Sequence, residues 1–111
     1  MKQACEIAKA LELTVFSQGE AEREVSGGYA GDLLSWVMGR AQPESAWVTI
    51  MSNVNVAAVA HLTDVSMVIL AEDVKPDEAL LQRAENEGMN LYGSGLSAFE
   101  LCWRLQALLA E

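Results

Sequence analysis

Residues 2–11 (KQACEIAKAL) place Ala4, Ile7, Ala8 and Leu11 at helical spacing and predict a short amphipathic helix. Leu13–Phe16 is rich in β-branched and aromatic residues and predicts a strand; a second short strand follows at Arg23–Val25 after the turn Ser17–Glu20. Gly27–Gly31 (GGYAG) reads as a flexible loop before a helix at Asp32–Ala41, whose face carries Leu33, Leu34, Val37, Met38 and Ala41. Gln42–Pro43 ends that helix. Ala46–Met51 and Val65–Leu70 are continuous apolar runs of strand length, the pattern of strands buried on both faces. Between them Asn55–Leu62 has small apolar residues nearly all round, as a helix pressed against a sheet does, with Ser52 and Asn53 as its capping residues. Pro76 and Gly88 bracket a helix with a strongly polar outer face, Asn90–Tyr92 is a short strand, and Ser97 with Glu100 forms a capping-box pattern for a helix running to Leu109. The order α-β-β-α-β-α-β-α-β-α predicts a three-layer α/β/α domain around a mostly parallel sheet of about five strands.

Composition narrows this picture. At 111 residues the chain is expected to form one domain spanning 1–111, with 51% apolar and 21% charged residues, a folded rather than a disordered composition. Sixteen acidic residues against seven basic ones give a net charge of −9, which excludes non-specific binding to nucleic acid or to an anionic membrane surface. Glu6 and Lys9 interrupt any signal-like apolar segment, and the longest apolar runs fall short of the roughly 20 residues that cross a bilayer. The expected setting is the cytoplasm, with Cys5 and Cys102 as reduced thiols.

Four features bear on chemistry. Gly27, Gly28 and Gly31 precede a helix, where backbone N–H groups can cradle a phosphate. They match neither GxGxxG nor GxxxxGK[ST], and Asp32 sits where the anion would, so turn-and-cap geometry competes with anion binding. Ser52, Asn53 and Asn55 follow one buried-type strand, and Gly93, Ser94 and Gly95 follow another; in a parallel sheet both loops lie on the carboxyl-end rim where ligands collect. Capping and turning are the competing roles. His61, the one histidine, lies on an apolar helix with only Asp64 near it in sequence, which is a structural or surface placement. Trp47 reads as core; Trp36 and Trp103 flank apolar stripes rather than joining them, as interface aromatics do, and suggest a homodimer. No metal-ligand spacing, cofactor motif, catalytic triad or P-loop is present in the sequence, so neither a cofactor nor an enzyme is expected.

Read together, GYAGDLLSWVM (28–38), KPDEALLQRAENEG (75–88) and LSAFEL (96–101), with WVTIMSNVNVAAVAHL and a terminal helix in the same order, resemble the DRTGG domain family over residues 11–109. Such domains occur beside CBS domains in regulated pyrophosphatases and within phosphotransacetylases, and are similar to the N-terminal domain of HPr kinase/phosphorylase. The resemblance implies an α/β fold with a regulatory or binding role, here in a stand-alone member. It does not bring kinase activity, which belongs to a separate P-loop domain. The family's acidic, arginine-containing motif would fall at Ser52-Asn53-Val54-Asn55-Val56, where this chain has no Asp, Arg or Gly pair. The expectation is a non-enzymatic regulatory or small-molecule-sensing domain with a nucleotide or phosphate-containing effector. The alternative is a protein-interaction adaptor working through a homodimer or a heteromeric partner.

Overall fold

A computed structural model describes residues 1–111. Five strands, β2 (Thr14–Ser17), β4 (Gly27–Ala30), β5 (Ser45–Thr49), β6 (Met67–Leu70) and β7 (Leu91–Gly93), form a sheet in the order β2-β7-β6-β5-β4. Neighbours from β4 to β7 are parallel; β2 joins the far edge antiparallel to β7. The remaining strands, β1 (Lys2–Gln3) and β3 (Glu24–Val25), form a separate antiparallel pair. The helices are α1 (Ala4–Ala10), α2 (Leu34–Arg40), α3 (Asn55–Thr63), α4 (Glu78–Glu87) and α5 (Ala98–Leu109).

Alternation along the central strands creates two cores. Ala46 and Val48 of β5, Met67 and Ile69 of β6 and Tyr92 of β7 face one layer, where α1 and α5 supply Ile7, Leu101 and Leu105. Trp47, Val68, Leu70 and Leu91 face the other layer, which is built from α2, α3 and α4. All five residues of β5 and all four of β6 are buried, as the continuous apolar runs predict. The three-layer α/β/α arrangement and its mostly parallel five-stranded sheet are therefore those expected.

Local expectations fail in four places. Gly27–Ala30 is a strand, not a flexible loop: Gly27 to Ala30 pair in register with Ser45 to Val48, and the ladder to buried β5 overrides a glycine-rich segment's weak strand preference. Helix α1 is preceded by a strand residue pair, and its capping box is Gln3 with Glu6. Neither Ser52 nor Asn53 caps α3, whose N-cap is Val54; Asn53 Oδ1 instead accepts from the N–H of Asn55 at 2.9 Å. Asp32 does not serve the start of α2 either, because its carboxylate accepts from Thr49 Oγ1 (2.8 Å) and the Ile50 N–H (2.9 Å). At α5 the forward half of the capping pattern holds: Ser97 Oγ accepts from Glu100 N–H at 3.1 Å, while the Glu100 carboxylate turns to Arg104.

Tyr92 lies at the centre of the first core with no exposed surface. Burial raises its phenol above the ordinary tyrosine range, and the neighbouring Cys5 thiolate adds to the rise. The folded state thus keeps a proton that the unfolded state releases above about pH 10. This contribution is intact below that pH and is lost as pH climbs toward the folded-state value. Chemical denaturation between pH 8 and 12 is expected to show a steeper alkaline loss for the native chain than for Tyr92→Phe; parallel curves would contradict it.

Candidate functional site

The carboxyl ends of β4–β7 define one rim of the sheet. The loop after β5 brings Ser52, Asn53 and Asn55 there, and the loop after β7 brings Gly93, Ser94 and Gly95. They are not adjacent, because β6 lies between β5 and β7. The loop after β6 joins them: Ala71 N–H donates to the Thr49 carbonyl, Asp73 N–H to the Ser94 carbonyl and Glu72 N–H to the Leu96 carbonyl. Glu72 and Asp73 reach these partners with φ of 60° and 61°, two successive left-handed residues that carry a side chain. The Glu72 carboxylate also accepts from the N–H of Ala98 at 2.9 Å, at the first turn of α5.

Much of the rim's polar capacity is thus already used. Ser52 Oγ donates to Asp77 Oδ1 at 3.3 Å, and its carbonyl accepts from the Asp77 N–H. Ser94 Oγ accepts from Leu96 N–H at 3.1 Å. Asp32, Glu72, Asp73 and Asp77 make the rim acidic, with Lys75 held by Asp73 at 2.8 Å. Such a surface favours donor-rich or cationic groups over an unscreened phosphate.

The glycines are dispersed. Of the three before α2, Gly27 and Gly28 lie at the start of β4, away from the rim, and Gly31 lies near it, where its carbonyl accepts from Trp47 Nε1 at 2.9 Å. A phosphate cradle at the start of α2 is not formed, since Gly27 and Gly28 belong to the sheet.

Two clefts lie elsewhere. The larger, about 220 Å³, sits at the opposite end of β6 and β7 and is lined by Arg23, His61, Asp64, Glu87 and Asn90 among others. Arg23 Nη2 donates to both the carbonyl (2.8 Å) and the carboxylate (2.7 Å) of Asp64, so Asp64 serves Arg23 rather than His61. His61 is exposed. Asn90, 4% exposed, accepts from Gly19 N–H and donates to the carbonyls of Glu20 and Ser66, fixing one wall. Arg23, Asp64 and Asn90 were invisible as a group in the sequence because 67 positions separate the first from the last and no motif links them. The cleft is smaller than the roughly 300–1,000 Å³ of most small-molecule pockets, so its volume suits only part of a ligand of that size.

The second cleft, about 160 Å³, is an apolar groove between β4 and α5, lined by Gly28, Ala30, Val48, Cys102, Leu105 and Leu109 with Tyr29 and Gln106. Burial pushes the Cys102 thiol above its ordinary range, which makes it a poor nucleophile near neutrality. Both cysteines are free. Trp36 and Trp103 are 53% and 54% exposed, while Trp47 is fully buried. No helix is long and apolar enough to cross a membrane.

By sequence, no protein-family model and no curated protein matches the chain. By structure, it is similar to the regulatory region of a Clostridium perfringens pyrophosphatase, comprising CBS and DRTGG domains and solved in complex with its activator, diadenosine tetraphosphate. The TM-score is 0.68 at 16% identity; the match covers 89% of this chain and 43% of the other, so this chain spans fewer than half of that region's residues. The DRTGG-like α/β fold suggested by the sequence motifs is the fold that this comparison supports.

Proposed function

We propose that this chain is a non-enzymatic regulatory domain that responds to a small-molecule effector, in the first instance a nucleotide or another phosphate-containing metabolite. The observation that carries this reading is the fold shared with a regulatory region whose activator is a dinucleoside polyphosphate. A cytoplasmic setting accords with two free thiols.

Two locations compete for the effector. The rim offers Ser52, Asn53, Asn55, Gly93, Ser94 and Gly95, with Gly31 beside it and Gly27 and Gly28 further along β4. The larger cleft offers Arg23 and His61 beside the carboxylates of Glu20, Asp64 and Glu87, with Arg23 already paired to Asp64. Thermal-shift titration with diadenosine tetraphosphate, ATP and AMP tests the reading. An effector at 100 times its Kd adds about 2.7 kcal/mol of stability, a shift on the order of 10 °C for a domain of this size. A tenfold weakening by Asn53→Ala with Ser94→Ala assigns the rim; the same weakening by Arg23→Ala assigns the cleft. No shift with any of the three nucleotides overturns the nucleotide reading.

A second reading, an interaction module, is favoured by Trp36 and Trp103, each more than half exposed, and by Phe99 at 84% exposure. Aromatic side chains held in water on folded helices are common anchors of protein contacts.

A further inference from the structure

We infer that the free edge of β4 pairs with β4 of a second copy of this chain, joining two five-stranded sheets into one. This inference rests on the interaction reading and is independent of the effector.

Strand β4 is the terminal strand of its sheet, so one row of its backbone N–H and C=O groups has no strand partner. Sheet edges are ordinarily protected by charges, proline, bulges or covering segments. The sequence of β4, Gly-Gly-Tyr-Ala, has no charge and no proline, and its register with β5 is unbroken from Gly27 to Ala30. Gly28 and Ala30 are exposed although they face α5, so the groove beside the strand stays open. Three of the four residues are Gly or Ala, which lets a second backbone approach to the roughly 4.8 Å of a sheet. The opposite edge, β2, is antiparallel and its register is broken between Val15 and Ser17.

Charge selects the partner. Strand β4 and the helices on either side of it, α2 and α5, together carry one acid, Glu100, and two bases, Arg40 and Arg104, a net +1 in a chain of net −9. Glu100 is paired to Arg104, and the nearby Asp32 is bound to Thr49 and Ile50. The unpaired carboxylates nearest the strand are Glu24 and Glu44, beside its start, so the faces of α2 and α5 meet those of a second copy without opposing acids, whereas the remainder of the surface carries the acidic excess. A two-fold axis makes the two β4 strands antiparallel and consumes both edges at once, so assembly stops at a dimer. Trp36 is exposed on α2 and stacked under Arg40 at 3.8 Å.

Sedimentation velocity over a hundredfold concentration range is expected to show a dimer. Gly27→Lys, whose new Cβ meets nothing within 4 Å, combined with Ala30→Lys, is expected to weaken it at least tenfold while circular dichroism stays native. Amide exchange on the unmodified chain provides a second readout, with protection of β4 rising as the dimer forms. A dimer that survives both lysines, or that forms without new protection in β4, overturns the inference. If such a dimer is instead lost on Trp103→Ala, the interaction reading stands with a different surface. A monomer throughout the range overturns both the inference and self-association.

Discussion

Trp47→Ala is expected to lower folding stability by about 3–5 kcal/mol, the range for removing a large aromatic side chain from a core. Trp47 is the largest fully buried side chain, packed in the layer that contains Val37, Val56, Val68 and Leu70. It sits on β5, one strand in from the β4 edge, and its Nε1 donates to the Gly31 carbonyl just past the end of β4. Truncation therefore opens a cavity and releases the segment that holds β4 in place. Against a total stability of about 5–15 kcal/mol this is a large fraction. Urea denaturation followed by far-UV circular dichroism measures it. Trp47→Phe separates the two contributions, since it keeps most of the volume and loses the hydrogen bond, at a cost of about 1–3 kcal/mol. An alanine variant within 1 kcal/mol of the native chain would show that this layer repacks freely.

Gly19→Ala is expected to be comparably damaging, although Gly19 lies in a surface turn. A Cβ at this position would fall 1.5 Å from the carbonyl oxygen of Gly88 and 2.3 Å from its carbon. Both contacts are backbone, so no side-chain rotation relieves them. The turn after β2 and the turn after α4 must separate, and the Gly19 N–H bond to Asn90 at 2.8 Å is then stretched or lost. Asn90 is the hub of this region, and freeing it strands the Glu20 and Ser66 carbonyls as well. The expected loss is about 3 kcal/mol, at the upper end of overpacking costs. Asn90→Ala is expected to approach it through the same three bonds. Because Glu20, Ser66 and Asn90 all line the larger cleft, both variants are also expected to weaken any ligand held there. A Gly19→Ala chain with an unchanged denaturation midpoint would refute the close approach.

These two sites mark where sequence reasoning reaches and where it stops. Trp47 was legible as core because the run Ala46–Met51 carries no charge, has Thr49 as its one polar residue, and alternates Trp47 and Thr49 against Val48. Gly19 looked like an ordinary turn glycine; its constraint comes from Gly88, 69 positions away, which no local pattern encodes. Asp32 illustrates the same divide. Its place before a helix suggested a charge serving the helix dipole, yet the hydroxyl and N–H at the end of β5 hold it more directly. Ser52, Asn53, Ser94 and Gly95 were placed on the carboxyl-end rim from the order of elements alone. What that order left hidden was the acidic loop of Glu72 and Asp73 between them, which changes the chemistry the rim offers.

The sequence by itself determined the layered α/β architecture, the two-sided burial of β5 and β6 and the exposure of Trp36 and Trp103, because each follows from the periodicity of apolar residues within one element. Only the tertiary structure decided that Gly27–Ala30 is a strand at the sheet edge, that Arg23, Asp64 and Asn90 line a common cleft, and that the uncharged edge lies between α2 and α5, which together carry a single acid. Those outcomes depend on contacts between distant segments. A glycine-rich tetrapeptide has too little side chain to favour a strand alone, and it becomes one when an already buried neighbour supplies the hydrogen-bonding row.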